Sequence, residues 1–112
     1  MVTLIGMGSG KWEALSEQAQ QAVRSAGLVF GAKRLLAGLP ADCTARQFAL
    51  YQPADILETL AQNPGQDAVV LYSGDTGFYS GASGLLTPLR ALGIPARVYP
   101  GVSSIQLLAA AL

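Results

Sequence analysis

Short apolar runs alternate with amphipathic segments along the 112-residue chain, and this alternation constrains the fold more than any other feature. The clearest run, Ala68–Tyr72, has no charged residue and is apolar on both faces, which is typical of a central strand in a parallel sheet. Four further strands are predicted at Met1–Met7, Leu28–Phe30, Arg46–Leu50 and Ala96–Tyr99.

Helices are predicted in the segments between these strands. In the first, apolar residues from Leu15 to Ala26 recur on one helical face, and Gly27 is expected to end that helix. The other predicted helices are Ala32–Ala37, Ala54–Gln62, Leu85–Leu92 and Ser103–Leu112. The repeated order predicts an α/β fold: a three-layer α/β/α domain with a mainly parallel sheet of about five strands.

The composition excludes several classes of site. Seven basic residues balance seven acidic ones, so no net positive charge favours a nucleic-acid partner. The sequence has no histidine and one cysteine, Cys43, which excludes an internal disulfide, a Cys/His zinc site and a Ser-His-Asp triad. We expect no metal and no membrane span, since the apolar runs fall far short of about 20 residues. A cytoplasmic protein is expected.

Three loops carry the candidate functional residues, because ligands of parallel sheets bind beyond the carboxyl ends of the strands. The first, Gly6–Gly10, resembles a dinucleotide-binding loop. Its glycine spacing differs from that pattern, however, and no acidic residue ends the second strand. A nucleotide-binding oxidoreductase module and a tight turn without a ligand therefore remain alternatives at this point.

The second loop, Ser73–Gly84, combines four glycines with Asp75, Phe78 and Tyr79. Asp75 could accept a hydrogen bond from a ligand ammonium or hydroxyl group, or it could cap a helix. The third loop, Pro100–Ser104, offers free backbone N–H groups at a predicted helix start, where Ser103 or Ser104 could equally be a cap.

Together, the loops resemble those of the tetrapyrrole methylase family. The family's G-x-G-P-G loop corresponds to Gly6-Met7-Gly8-Ser9-Gly10, with Ser9 at the usual proline position. Its Gly-Asp-Pro motif corresponds to Gly74-Asp75-Thr76, and its Pro-Gly-Val-Ser motif is intact at Pro100–Ser103. The segments Ala26–Leu36 and Gly74–Gly81 resemble the precorrin-6Y branch, which methylates C5 of a corrin precursor.

This resemblance implies S-adenosylmethionine (SAM) as the methyl donor and a precorrin as the substrate. The SAM-binding residues it implies are Gly8, Ser9, Ser73, Gly74, Asp75, Phe78, Ser103 and Ser104. No catalytic residue is assigned. Other members of the family, with a different substrate, and a non-catalytic regulatory or assembly module are the remaining alternatives.

The chain is also expected to be an N-terminal domain. It ends in the apolar, helix-forming run Ala109–Leu112, and the family binds SAM between two α/β domains. We therefore expect residues 1–112 alone to bind SAM weakly or not at all and to lack activity. A homodimer is expected. The branch also works beside a separate or fused C15-methylating decarboxylase, which is the expected partner protein.

Overall fold

The computed structural model describes residues 1–6, 12–41, 43–72 and 84–99. Within these residues five strands form, at Val2–Gly6 (β1), Leu28–Phe30 (β2), Arg46–Phe48 (β3), Ala68–Tyr72 (β4) and Ala96–Tyr99 (β5). The helices are Glu17–Ser25 (α1), Lys33–Leu36 (α2), Pro53–Gln62 (α3) and residues 84–91 (α4), with a 3₁₀ helix at Trp12–Ala14. The predicted helix Ser103–Leu112 lies outside the described residues.

The five strands form one parallel sheet in the order β3-β2-β4-β1-β5. β4 lies at the centre, and all five of its residues are buried, as the apolar run predicted. Next to it, β1 is also buried along its whole length. In register, Leu4 of β1 pairs with Val70 of β4 on one side and with Val98 of β5 on the other.

Side chains alternate between the two faces of the sheet and build two apolar clusters. On one face, Leu4 and Val70 pack with Ile56 of α3 and with Leu85 and Leu89 of α4. On the other face, Ile5, Val69 and Leu71 pack with α1 and α2 through Ala19, Val23, Leu35 and Leu36. Helices thus cover both faces, and the predicted three-layer α/β/α architecture with a parallel sheet is confirmed.

Helix α1 begins and ends differently from the prediction. Ser16 caps its N-terminus by accepting a hydrogen bond from the Ala19 N–H at 3.2 Å. The helix ends at Ser25 with Ala26 as the C-cap, one residue before the glycine that was predicted to end it, and Gly27 does not adopt a positive φ. A Cβ atom at Gly27 would meet the amide oxygen of Gln66, which is the flexible end of an exposed side chain and can move away, while the Gly27 N–H donates to the Asp67 carbonyl at 2.9 Å.

We predict that Leu4→Ala destabilises the protein by about 2–5 kcal/mol, because it leaves a cavity between the sheet and helices α3 and α4. Leu92 is 64% exposed, so Leu92→Ala serves as the matched control and should change the free energy of unfolding by less than about 0.5 kcal/mol. Urea denaturation measures both. Equal effects of the two substitutions would contradict the position of Leu4 in the core.

Candidate functional site

The strand order creates a switch point between β1 and β4. The chain leaving β1 passes through α1 to β2, beyond β4, whereas the chain leaving β4 passes through α4 to β5, beyond β1. Helices α1 and α4 pack on opposite faces of the sheet. Their divergence leaves a crevice at the carboxyl ends of β1 and β4, which is where open α/β sheets bind ligands.

The two strands end at the same level. Gly6 at the end of β1 pairs with Tyr72 at the end of β4, and the neighbouring Ile5 pairs with Leu71 and with Tyr99 of β5. The loops after β1, β4 and β5 therefore leave one edge of the sheet from three consecutive strands. This arrangement is what the sequence predicted for its three candidate loops.

The predicted binding residues themselves lie outside the described residues. Gly8 and Ser9 follow β1, Ser73, Gly74, Asp75 and Phe78 follow β4, and Ser103 and Ser104 follow β5. The structure thus brings together the strand ends from which all eight extend. Contacts between these residues and a ligand remain a prediction.

Tyr72 is the residue at this edge that the sequence analysis did not assign to the site. It is 9% exposed and packs in the cluster with Leu85 and Leu89 of α4. Burial raises the pKa of its hydroxyl group to about 12, because the ionised form would lose its hydration. Tyr72 is therefore a neutral phenol at physiological pH. The signal that could have found it is its position as the last residue of the most apolar strand.

On the other side of β4, the end of β2 approaches very closely. A Cβ atom at Gly31 would lie 3.1 Å from Cβ of Leu71 and 3.4 Å from its carbonyl oxygen. The Gly31 N–H also donates to the Phe48 carbonyl of β3 at 3.2 Å. Gly31 thus lets β2 and the following α2 lie directly against the end of β4.

Trp12 fixes the start of the described chain after the first loop. Its carbonyl accepts a hydrogen bond of 3.0 Å from Nε2 of Gln20, and the Arg24 guanidinium lies 5.5 Å from the centre of its ring. Both partners belong to α1. The first loop is therefore anchored at one end by β1 and at the other by α1.

The described residues offer no metal centre. No group of three or more His, Cys, Asp or Glu side chains comes together within them. Cys43 is partly buried against Leu36 and its neighbours, as a small apolar residue would be. Across the same parts of the chain, every helix is too short or too polar to cross a bilayer.

Two grooves lie in the described part of the fold. One of about 440 Å³ is lined by Met1, Asp67 and Ser25, and another of about 380 Å³ by Val2, Leu57 and Ile94. The second borders the amino end of β1, and the first extends from the amino ends of β1 and β4 to Arg97 and Tyr99 of β5. Neither groove is lined by Gly6 or Tyr72, the last residues of β1 and β4.

Comparison with known proteins points to one family. The family model for tetrapyrrole (corrin/porphyrin) methylases matches residues 1–112. The cobalt-precorrin-7 C(5)-methyltransferase of Salmonella typhimurium is 35% identical over 112 residues, which cover 98% of this chain and 54% of that protein. This chain thus spans about half the length of the curated relatives that it matches.

Solved structures agree. Uroporphyrin-III C-methyltransferase from Thermus thermophilus, complexed with S-adenosylhomocysteine, is 30% identical with a TM-score of 0.64, and the match covers 99% of this chain and 48% of that one. The precorrin-6Y methylase from Archaeoglobus fulgidus has a TM-score of 0.63 at 23% identity, covering 99% of this chain and 57% of that one. The latter similarity concerns the fold alone.

We predict that Gly31→Ala destabilises the protein by about 1–3 kcal/mol, because the added methyl group forces β2 away from the end of β4. Gly84→Ala is the control: the nearest atom to its Cβ would be Cγ of Pro53 at 3.9 Å, an ordinary contact. Urea denaturation should separate the two variants. Equal stability of both would show that the contact with Leu71 imposes no restraint.

We also predict a pH effect from Tyr72. Its pKa is raised from 10.0 to about 12 in the folded protein, so its contribution to stability is complete below pH 10 and is lost as the pH rises toward 12. Spectrophotometric titration of the tyrosines should show one late ionisation that Tyr72→Phe removes. If Tyr72→Phe left the titration curve near pH 12 unchanged, the burial of this hydroxyl group would be refuted.

Proposed function

This chain belongs to the tetrapyrrole (corrin/porphyrin) methylase family, and we propose that it is the N-terminal half of an enzyme that methylates a precorrin with SAM. The observation that carries the proposal is the meeting of β1, β4 and β5 at one edge, directly before the three family motifs. The Thermus relative complexed with S-adenosylhomocysteine, the product of methyl donation, supports SAM as the donor.

The described rim of the crevice is compatible with SAM. The last residues of β1 and β4, Gly6 and the neutral phenol of Tyr72, themselves carry no positive charge that would repel a sulfonium group. Glycine has no side chain to shield its backbone, so the glycine-rich sequence after β4 suits binding through backbone groups, and the carboxylate of Asp75 is a hydrogen-bond acceptor. We propose Gly8, Ser9, Ser73, Gly74, Asp75, Phe78, Ser103 and Ser104 as the residues that bind it from this half.

The proposed methyl transfer requires little acid–base catalysis from this half of the protein. SAM supplies an electrophilic methyl group: a carbon–carbon bond forms with an electron-rich carbon of the macrocycle as the carbon–sulfur bond breaks, and the electron pair stays on sulfur. The protein holds the two reactants in line and excludes water, and such positioning accounts for much of the rate of a reaction of this type. The macrocycle later loses a proton, for which no base is assigned.

The substrate we propose is the precorrin-6B or cobalt-precorrin-7 class, with methylation at C5. The 35% identity to the Salmonella C(5)-methyltransferase supports it. The end of β2, Phe30-Gly31-Ala32, lacks the acidic residue that binds a nucleotide ribose, which weighs against the oxidoreductase alternative. We further propose that the whole enzyme forms a homodimer and works beside, or fused to, a C15-methylating decarboxylase.

We predict that Gly74→Val in the full-length protein weakens SAM binding at least tenfold, because a branched side chain would occupy the ligand's space. Ala61→Val, at an exposed position near the end of α3, is the control and should bind SAM like the unchanged protein. Calorimetric titration gives both dissociation constants. Unaltered SAM affinity in a folded Gly74→Val protein would exclude the loop after β4 from the site.

We also predict that residues 1–112 alone bind SAM at least tenfold more weakly than the full-length protein, because half a pocket leaves much of the ligand in water. Calorimetry on both chains, with sedimentation to determine their oligomeric states, is the measurement. Micromolar SAM binding by a monomer of residues 1–112 would show that the site is complete within this half.

A further inference from the structure

Most of the cationic groups in the described residues have a partner or a favourable place. The Arg24 guanidinium lies 5.5 Å from the centre of the Trp12 ring. Arg46 donates a hydrogen bond to Oδ1 of Asn63 at 3.4 Å, and Arg97 donates one to the hydroxyl of Tyr99 at 3.2 Å. The N-terminal amino group lies 3.5 Å from the Asp67 carboxylate, and Arg90 lies in the last turn of α4. The last position is stabilised by the helix dipole. Each of these cations is thus explained by the fold itself.

Lys33 and Arg34 also lie in the last turn of a helix, α2, but here two adjacent cations share one helix of only four residues. Both are exposed, and neither makes an ion pair or a side-chain hydrogen bond within the described chain. The next two residues of α2, Leu35 and Leu36, are buried in the core. Two adjacent cations without an ion pair therefore lie on a short helix, and the burial of Leu35 and Leu36 fixes the position of that helix.

The sheet places this pair beside the switch point. Phe30 pairs with Val70, and the close approach of Gly31 to Leu71 continues that register, so Lys33 follows just beyond the level of Tyr72. β2 neighbours β4 directly, and adjacent strands are about 4.8 Å apart. The two cations thus lie at the carboxyl edge of the sheet, within reach of a large ligand in the crevice between β4 and β1.

We propose that Lys33 and Arg34 bind carboxylate groups of the tetrapyrrole substrate and so help to select a polycarboxylate macrocycle. This inference rests on the proposed function. Corrin precursors carry acetate and propionate side chains around the ring, and a ring held over the crevice extends toward β2. Arginine can bind a carboxylate through two parallel hydrogen bonds, while lysine supplies a compact charge beside it.

Acidic groups near the same edge do not cancel this charge. Glu17 and Asp55 lie in the first turns of α1 and α3, where the helix dipoles stabilise them, and no ion pair joins either to Lys33 or Arg34 among the described contacts. The positive charge of Lys33 and Arg34 is therefore not neutralised by these acidic groups, although the sequence as a whole has no net charge.

The test is a fluorescence titration of the full-length protein with uroporphyrin, a stable macrocycle bearing acetate and propionate groups. The double variant Lys33→Gln with Arg34→Gln should bind it at least tenfold more weakly and with a smaller dependence on salt, while its calorimetric affinity for SAM is unchanged. Arg90→Gln, which removes an exposed cation near the opposite edge, should bind uroporphyrin normally. The charge-preserving pair Lys33→Arg with Arg34→Lys should retain most of the affinity.

Each result has one meaning. Uroporphyrin binding by the double variant at the unchanged affinity, or no binding by the unmodified protein, would overturn the role of these two residues. If the unmodified protein binds uroporphyrin through Lys33 and Arg34 but neither binds SAM nor transfers a methyl group, the proposed function fails and the carboxylate site stands. An equal loss in Arg90→Gln would show a general charge effect and would also overturn the assignment.

Discussion

The pairing of β1 with β4 is the constraint on which the rest of the structure depends. Both strands are buried along their whole length, so they can lie only in the interior of the sheet with helices on both faces. Because the chain leaves these two strands in opposite directions, their carboxyl ends cannot be covered by the helices that follow. The interaction that stabilises the core thus also creates the crevice.

Tyr72 is the buried titratable residue at the end of β4, next to the proposed site. Tyr72 remains protonated because burial disfavours its anion, so it can pack or donate a hydrogen bond but is a poor base. The unpaired cations at α2 would then serve recognition of the macrocycle rather than the chemical step.

The sequence predicted the fold well because the two central strands, β1 and β4, are strongly apolar. Ala68–Tyr72 is uniformly apolar, and the structure places it at the centre of the sheet. The prediction was less accurate where tertiary contacts decide. The third strand ends at Phe48 instead of Leu50, and Ala26 caps the first helix before Gly27 is reached.

The sequence predicted where on the sheet the candidate site lies but not all of the residues that belong to it. Glycine loops after three strands indicate a ligand edge, and the strand order that brings those strands together supports it. Tyr72 could have been found as the last residue of the most apolar strand, but spacing along the chain could not identify the cations of α2, because their significance depends on which strands become neighbours. That neighbourhood, with β2 beside β4 and β4 beside β1, is a property of the folded sheet alone.

The most direct measurement is methyl transfer by the full-length protein from SAM with an isotopically labelled methyl group to the cobalt-precorrin substrate, with the product mapped by NMR. We expect a single labelled methyl group on C5 of the macrocycle, formed with one equivalent of S-adenosylhomocysteine. A folded protein that binds NAD but not SAM, and leaves the macrocycle unmethylated, would contradict the assignment of this edge to methyl transfer.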